Sequence, residues 1–132
     1  LECDLPYDHD VGARHYKELI VWQLADQLRR EVYRLLKRPQ AARDLKFRDQ
    51  LADAVASIPS NLAEGFGRTG RADFARFVVY ASGGVNEVTE RLEDGVLREH
   101  WPHADVAATL NLAEHLKRAL AGLLRHLRHP RR

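Results

Sequence analysis

The sequence predicts an all-α protein, an antiparallel up-down-up-down four-helix bundle. Apolar residues recur at three- and four-residue steps through four long segments, and no stretch alternates as a strand would. Helix-breaking residues cluster between those segments, at Pro39, at Gly65 to Gly70 and at Trp101-Pro102. The connections are therefore short, which sets sequential helices antiparallel.

Taken in order, residues 1–16 mix Pro6, Gly12 and several acids and read as an irregular arm, residues 17–129 as the bundle, and residues 130–132 as a basic tail. The first helix spans about Leu19 to Arg38, with Val21, Leu24, Leu28, Val32 and Leu35 on its apolar face. Pro39 stops it, because the residue before a proline avoids the helical region. The second spans about Ala42 to Phe66 and carries Phe47, Leu51, Ala54, Val55, Ile58, Leu62 and Phe66 on one face. Pro59 falls inside it, at a cost of about 3 kcal/mol. A kink or a local repair is expected there, helped by Ser57, Ser60 and Asn61, whose short polar side chains bond freed backbone groups. Gly65 and Gly67 end that helix.

The third helix begins at Thr69 or Gly70 and buries Phe74, Phe77, Val78, Ala81, Val85, Val88 and Leu92. Gly83-Gly84 in its middle costs about 1 kcal/mol per glycine. Close approach of a neighbour, such as Trp22 or an adjacent subunit, is the expected compensation. The fourth helix runs from about Ala104 to Arg128, with Val106, Leu110, Ala113, Leu116, Leu120, Leu123 and Leu127 inside.

At 132 residues the chain is long enough for one domain with one core. No apolar run approaches the ~20 residues of a bilayer-spanning helix. There is no signal-peptide pattern, and Cys3 is the only cysteine, which excludes an intrachain disulfide framework and points to a cytoplasmic protein. The chain begins at Leu1 and has no methionine, so an upstream segment is expected.

The formal net charge of +2 hides a segregated distribution. Residues 1–10 hold four acids and no Lys or Arg, and residues 14–50 hold ten Lys/Arg against five acids. Residues 86–105 hold six acids against two Arg, and residues 115–132 hold six Lys/Arg and no acid. Such segregation implies an oriented field. It suits a polyanion-binding surface and also head-to-tail contacts between subunits.

Ser57-Ile58-Pro59-Ser60-Asn61-Leu62-Ala63-Glu64-Gly65 resembles the signature of the bacterial four-helix bundle protein family. Some members are encoded inside intervening sequences of large-subunit ribosomal RNA genes, and relatives include the accessory variability determinants of diversity-generating retroelements. Val21-Trp22-Gln23 with Ala25, then Phe47, Gln50 and Leu51, then Arg68, Phe74, Phe77, Ala81, Gly83 and Glu87 keep the family's order and approximate spacing, so the likeness spans about Lys17 to Leu97. Asp53 stands where a basic residue is usual and Gly84 where a small hydroxyl residue is usual. The resemblance implies a bundle, often a ring-shaped pentamer, with nucleic-acid binding in some members and no catalytic activity.

Catalytic and metal chemistry find no support in the sequence. A di-metal bundle site needs Glu-x-x-His on two helices, and no acid here has a histidine three residues on. Glu87, Glu90 and Glu93 flank an apolar stripe rather than lie within it. His100-x-x-His103 and His126-x-x-His129 lack a neighbouring carboxylate or thiolate. Gly65 to Gly70 lacks the strand and the Gly-Lys-Ser/Thr ending of a phosphate loop, although Arg68 and Arg71 are placed to touch a phosphate. No catalytic residue, metal or cofactor is assigned.

Two basic stripes remain. Arg30, Arg34 and Lys37, with Arg38 beside them, share a face of the first helix away from its leucines. Arg118, Arg125, His129 and Arg132 share a face of the fourth, extended by Arg128. Intrahelical pairing, such as Asp26 with Arg30, is the competing use of these charges. The stripes carry no exposed aromatic interleaving, and Tyr33 and Tyr80 are open to two readings, a contribution to stacking or a place at the edge of the core. The expected function is therefore phosphate-directed binding of RNA or DNA by a non-enzymatic homo-oligomer. The alternative is a ring that docks a partner protein. The motif residues Ser57, Ile58, Pro59, Ser60, Asn61, Glu64, Gly65, Gly83 and Glu87 are assigned to structure or to an interface.

Overall fold

The computed structural model describes residues 13–129, and among them there are helices and no strand. A 3-10 turn at Tyr16–Glu18 leads into α1 (Ile20–Leu35), followed by a short α2 (Pro39–Arg43), then α3 (Leu45–Phe66), α4 (Arg71–Leu97) and α5 (His103–Arg128). The four long helices form a bundle in which α1 packs on α3, α3 on α4, α4 on α5 and α5 on α1. Each of these neighbours is antiparallel. Arg38, just past the end of α1, pairs with Asp105 at the start of α5, and Arg71 at the start of α4 reaches the His126 carbonyl near the end of α5.

The predicted stripes form the core. Val21, Leu28 and Val32 of α1, Leu51, Val55, Ile58 and Leu62 of α3, Phe74, Val78, Val88 and Leu92 of α4, and Val106, Leu116, Leu120 and Leu123 of α5 are all buried. Ala13 is buried as well, so the chain already packs on the bundle before Tyr16.

The start of the second predicted helix is different. Pro39 opens α2 at its first position, where its missing N–H would have had no partner. Asp44 then leaves the helical region with φ −86° and ψ 81°, and α3 begins after it. Two helices replace the expected continuous one.

α3 runs unbroken through Pro59, which is buried. The proline cannot donate to the Val55 carbonyl. Two residues before it the Ser57 hydroxyl donates to the neighbouring Ala54 carbonyl at 2.7 Å. Ser57 and Ile58 also form the surface against which Gly84 of α4 packs. A Cβ at Gly84 would stand 2.9 Å from Ile58 Cγ1 and 3.0 Å from Ser57 Oγ. At the other end of the pair, a Cβ at Gly65 would stand 2.7 Å from Phe77 Cβ. The close neighbour of the double glycine is therefore α3 rather than Trp22, and it concerns Gly84 alone.

The α4–α5 corner closes the opposite end. Glu99 takes φ 64° just past α4, and the amides of Glu99 and His100 bond back to Val96 and Gly95 at 3.0 and 2.9 Å. This is the paired hydrogen-bond pattern of a left-handed helix C-terminus. It turns Trp101 into the core, where its indole N–H donates to the Leu92 carbonyl at 3.0 Å. Trp101 lies on Gly95 so tightly that a Cβ there would stand 2.5 Å from its ring. Arg98 and His100 both reach Asp44, at 3.0 and 2.8 Å, which ties the corner to the α2–α3 break.

Candidate nucleic-acid interface

The antiparallel order sorts the charges by end. At the end holding the α4–α5 corner, the basic finish of α1 meets the start of α5, and the finish of α4 meets the α2–α3 break. Arg38 is held by Asp105 at 2.5 Å, and Arg98 by Asp94 and Asp44. Burial and charge act on Asp44 together. The His100 hydrogen bond, opposed by partial burial and helped by Arg98, holds its carboxyl below the usual range. This end is balanced.

Among the described residues, the other end carries more arginine than acid. There the last turns of α5, carrying Arg125 and Arg128, lie beside the first turns of α4, carrying Arg71 and Arg76, and beside Arg68 of the α3–α4 turn. Arg71, Arg76 and Arg128 line a recess of about 510 Å³ whose apolar floor is Ala72, Ala75 and Leu127. Asp73 is shared, 2.5 Å from Arg76 and 3.7 Å from Arg68, and Arg68 also binds Glu64 at 2.8 Å. The Arg76 hydrogen bond, against a smaller effect of burial, pulls the Asp73 carboxyl below its usual range, so it stays ionised. No carboxylate among the described residues pairs with Arg125 or Arg128. Lys17 and Glu18 belong to the same end through the packing of the 3-10 turn on α1 and α3.

The residues expected to bind phosphate thus fall into separate groups. Arg30 is exposed but bound to Asp26 at 3.0 Å, and Arg29 binds the same carboxylate at 2.5 Å. Partial burial raises the Asp26 pKa, and the two arginines overcome that and lower it. Arg34 and Lys37 are exposed, and with Arg38 they belong to the balanced end. Arg118 pairs with Glu114 at 3.3 Å, halfway along α5. Arg125 and Arg128 are at the basic end, and Arg132 lies outside the described residues. Arg68, Arg71 and Arg76 join the basic end because the fold brings them there, and the sequence signal for them was the Arg-rich start of α4.

The motif residues divide between packing and surface. Ser57, Ile58 and Gly65 serve the α3–α4 contact, and Asn61 is half-buried. Pro59, Ser60 and Glu64 line a groove of about 590 Å³ with Trp22, Asp26, Arg29 and Arg30 of α1. Gly83 and Glu87 face outward, and Glu87 is 3.7 Å from Arg91. Of the two readings open for Tyr33 and Tyr80, their exposure favours the surface one. They are 41% and 46% exposed, and Tyr80 sits directly beside Arg76.

The 23S rRNA-intervening sequence protein family model matches residues 17–122, nearly the whole described bundle. The chain belongs to that family. Its signature lies on α3 between a packed face and an open groove, which accounts for the mix of apolar, small and polar residues in it. Comparison with curated proteins returns no match. Among the described residues no group of three or more His, Cys, Asp or Glu side chains is placed to hold a metal ion. None of the described helices is long and apolar enough to cross a membrane.

Proposed function

We propose that this member of the intervening-sequence family is a non-enzymatic, cytoplasmic homo-oligomer that binds nucleic acid through its basic end. The observation that carries this reading is the imbalance between the two ends. Among the described residues, acids hold Arg30 and Arg38 of the first helix's stripe, while Arg71, Arg76 and Arg128 line one recess and neither Arg128 nor Arg125, on the same last turns of α5, has a carboxylate partner. Arginine forks match phosphate oxygens, and contacts of this kind fix position without reading sequence. In a cyclic assembly, a pentamer by resemblance, the same patch would recur around the ring.

Fluorescence anisotropy with labelled structured RNA and duplex DNA tests the reading. For three to four phosphates neutralised, affinity falls roughly 40- to 150-fold between about 50 and 200 mM salt. An absence of binding at the lower salt contradicts it. A second reading, a scaffold that docks a partner protein, is favoured by the groove where Pro59, Ser60 and Glu64 meet Trp22. Substitutions lining that groove that release a stoichiometric, nuclease-resistant partner would select it.

A further inference from the structure

We infer that the outer face of α4 from Arg76 to Asn86 is a base-stacking shelf for single-stranded nucleic acid, with Tyr80 as its platform and Gly83 as its open floor. The inference rests on the nucleic-acid reading and adds the class of strand.

Gly83 is the starting point. Glycine is the least favourable residue but proline in a helix interior. Its neighbour Gly84 is explained by the approach of Ile58 and Ser57, whereas a Cβ at Gly83 would meet nothing within 4 Å. The protein thus keeps a bare stretch of helix backbone facing outward, with no packing reason inside the described chain. One turn before it, Val79 and Tyr80 are 41% and 46% exposed.

Cations border this stretch on both sides. Arg76 donates from Nη1 to the Tyr80 hydroxyl at 3.4 Å and lies 5.9 Å from its ring centroid. Arg76 and Arg68 in turn lie 5.1 and 4.9 Å from the Phe77 ring. Beyond Gly83, Lys117 of α5 donates to Asn86 at 2.5 Å. Arg76 and Asn86 are about 15 Å apart along the helix at 1.5 Å per residue. Unstacked bases lie on aromatic rings and guanidinium planes, while bases within a duplex already cover one another's faces. An exposed tyrosine beside an arginine, next to a gap where no side chain obstructs a flat ring, fits a single strand. A second copy of the chain crossing α4 at Gly83 would use the same bare backbone, but the exposed Tyr80 ring with the Arg76 guanidinium beside it, itself held by Asp73, offers a stacking face for a base.

The test is anisotropy at low salt with a labelled oligothymidylate and a mixed-sequence duplex, with light scattering on each variant. Tyr80→Ala is expected to weaken single-strand binding about tenfold and leave duplex binding unchanged. Tyr80→Trp retains binding, and Gly83→Ala, which favours the helix, also weakens it. Equal binding of both forms, indifferent to these substitutions, overturns the shelf and leaves the nucleic-acid reading standing. No binding of either form overturns both. A changed oligomer mass for Gly83→Ala with unchanged single-strand affinity assigns the face to a second copy and overturns the shelf.

Discussion

Glu99 shows how a single residue sets the geometry of the balanced end. Among the described residues it alone, other than glycine, has a positive φ, and its left-handed turn delivers His100 to Asp44 and Trp101 to the core. A side chain in that region costs roughly 1 kcal/mol. Glu99→Gly is therefore expected to raise stability by about that amount in denaturant unfolding, and no gain would contradict the strain. Asp44 carries the pH dependence of the same corner. Its carboxyl is depressed by the His100 hydrogen bond first, then by Arg98. A depressed folded-state value stabilises above the unfolded value of about 3.9 and loses that contribution as pH falls through the folded one. Asp44→Asn should lower stability at neutral pH and flatten the acid limb of a stability profile. An acid limb as steep as the wild type's would argue against it. None of this was legible in the sequence, because Trp101-Pro102 marks a turn but nothing at Glu99 announces a left-handed residue.

At the level of elements, the apolar stripes were legible, since each helix buries most of the face its spacing defines, with Leu24, Phe66 and Leu110 only partly buried at its margins. The break at Asp44 was not, because the apolar rhythm from Phe47 onward continues smoothly out of α2. The double glycine was legible as a site of close approach but not in its division of labour. Adjacent residues point about 100° apart on a helix, so one faces α3 and the other faces out. Their substitutions should have opposite signs. Gly84→Ala is expected to cost about 1–3 kcal/mol by overpacking against Ile58, and Gly83→Ala to gain about 1 kcal/mol from helix propensity. Matched denaturant titrations of the two variants check this, and equal effects would refute the assignment of faces. The groove that Pro59 and Ser60 share with Trp22 needed the fold to appear, because its two walls lie on different helices.

For the molecule as a whole, the charge segregation along the chain becomes a difference between two ends. An up-down-up-down order already implies that the stripe at the end of the first helix and the stripe at the end of the fourth lie at opposite ends of the bundle. The i,i+4 spacing makes the Asp26–Arg30 pair legible in the sequence, whereas the pairing of Arg38 with Asp105 needed the fold. Among the described residues, Arg125 and Arg128 have no carboxylate partner and give the other end its excess of charge. The most direct measurement is a salt-dependent anisotropy titration of labelled RNA against the wild type and two double variants. Arg125→Glu with Arg128→Glu should weaken binding at least tenfold and reduce the salt slope by about two. Arg34→Glu with Lys37→Glu, at the balanced end, should change affinity less than threefold, and the reverse order of the two effects would contradict the account.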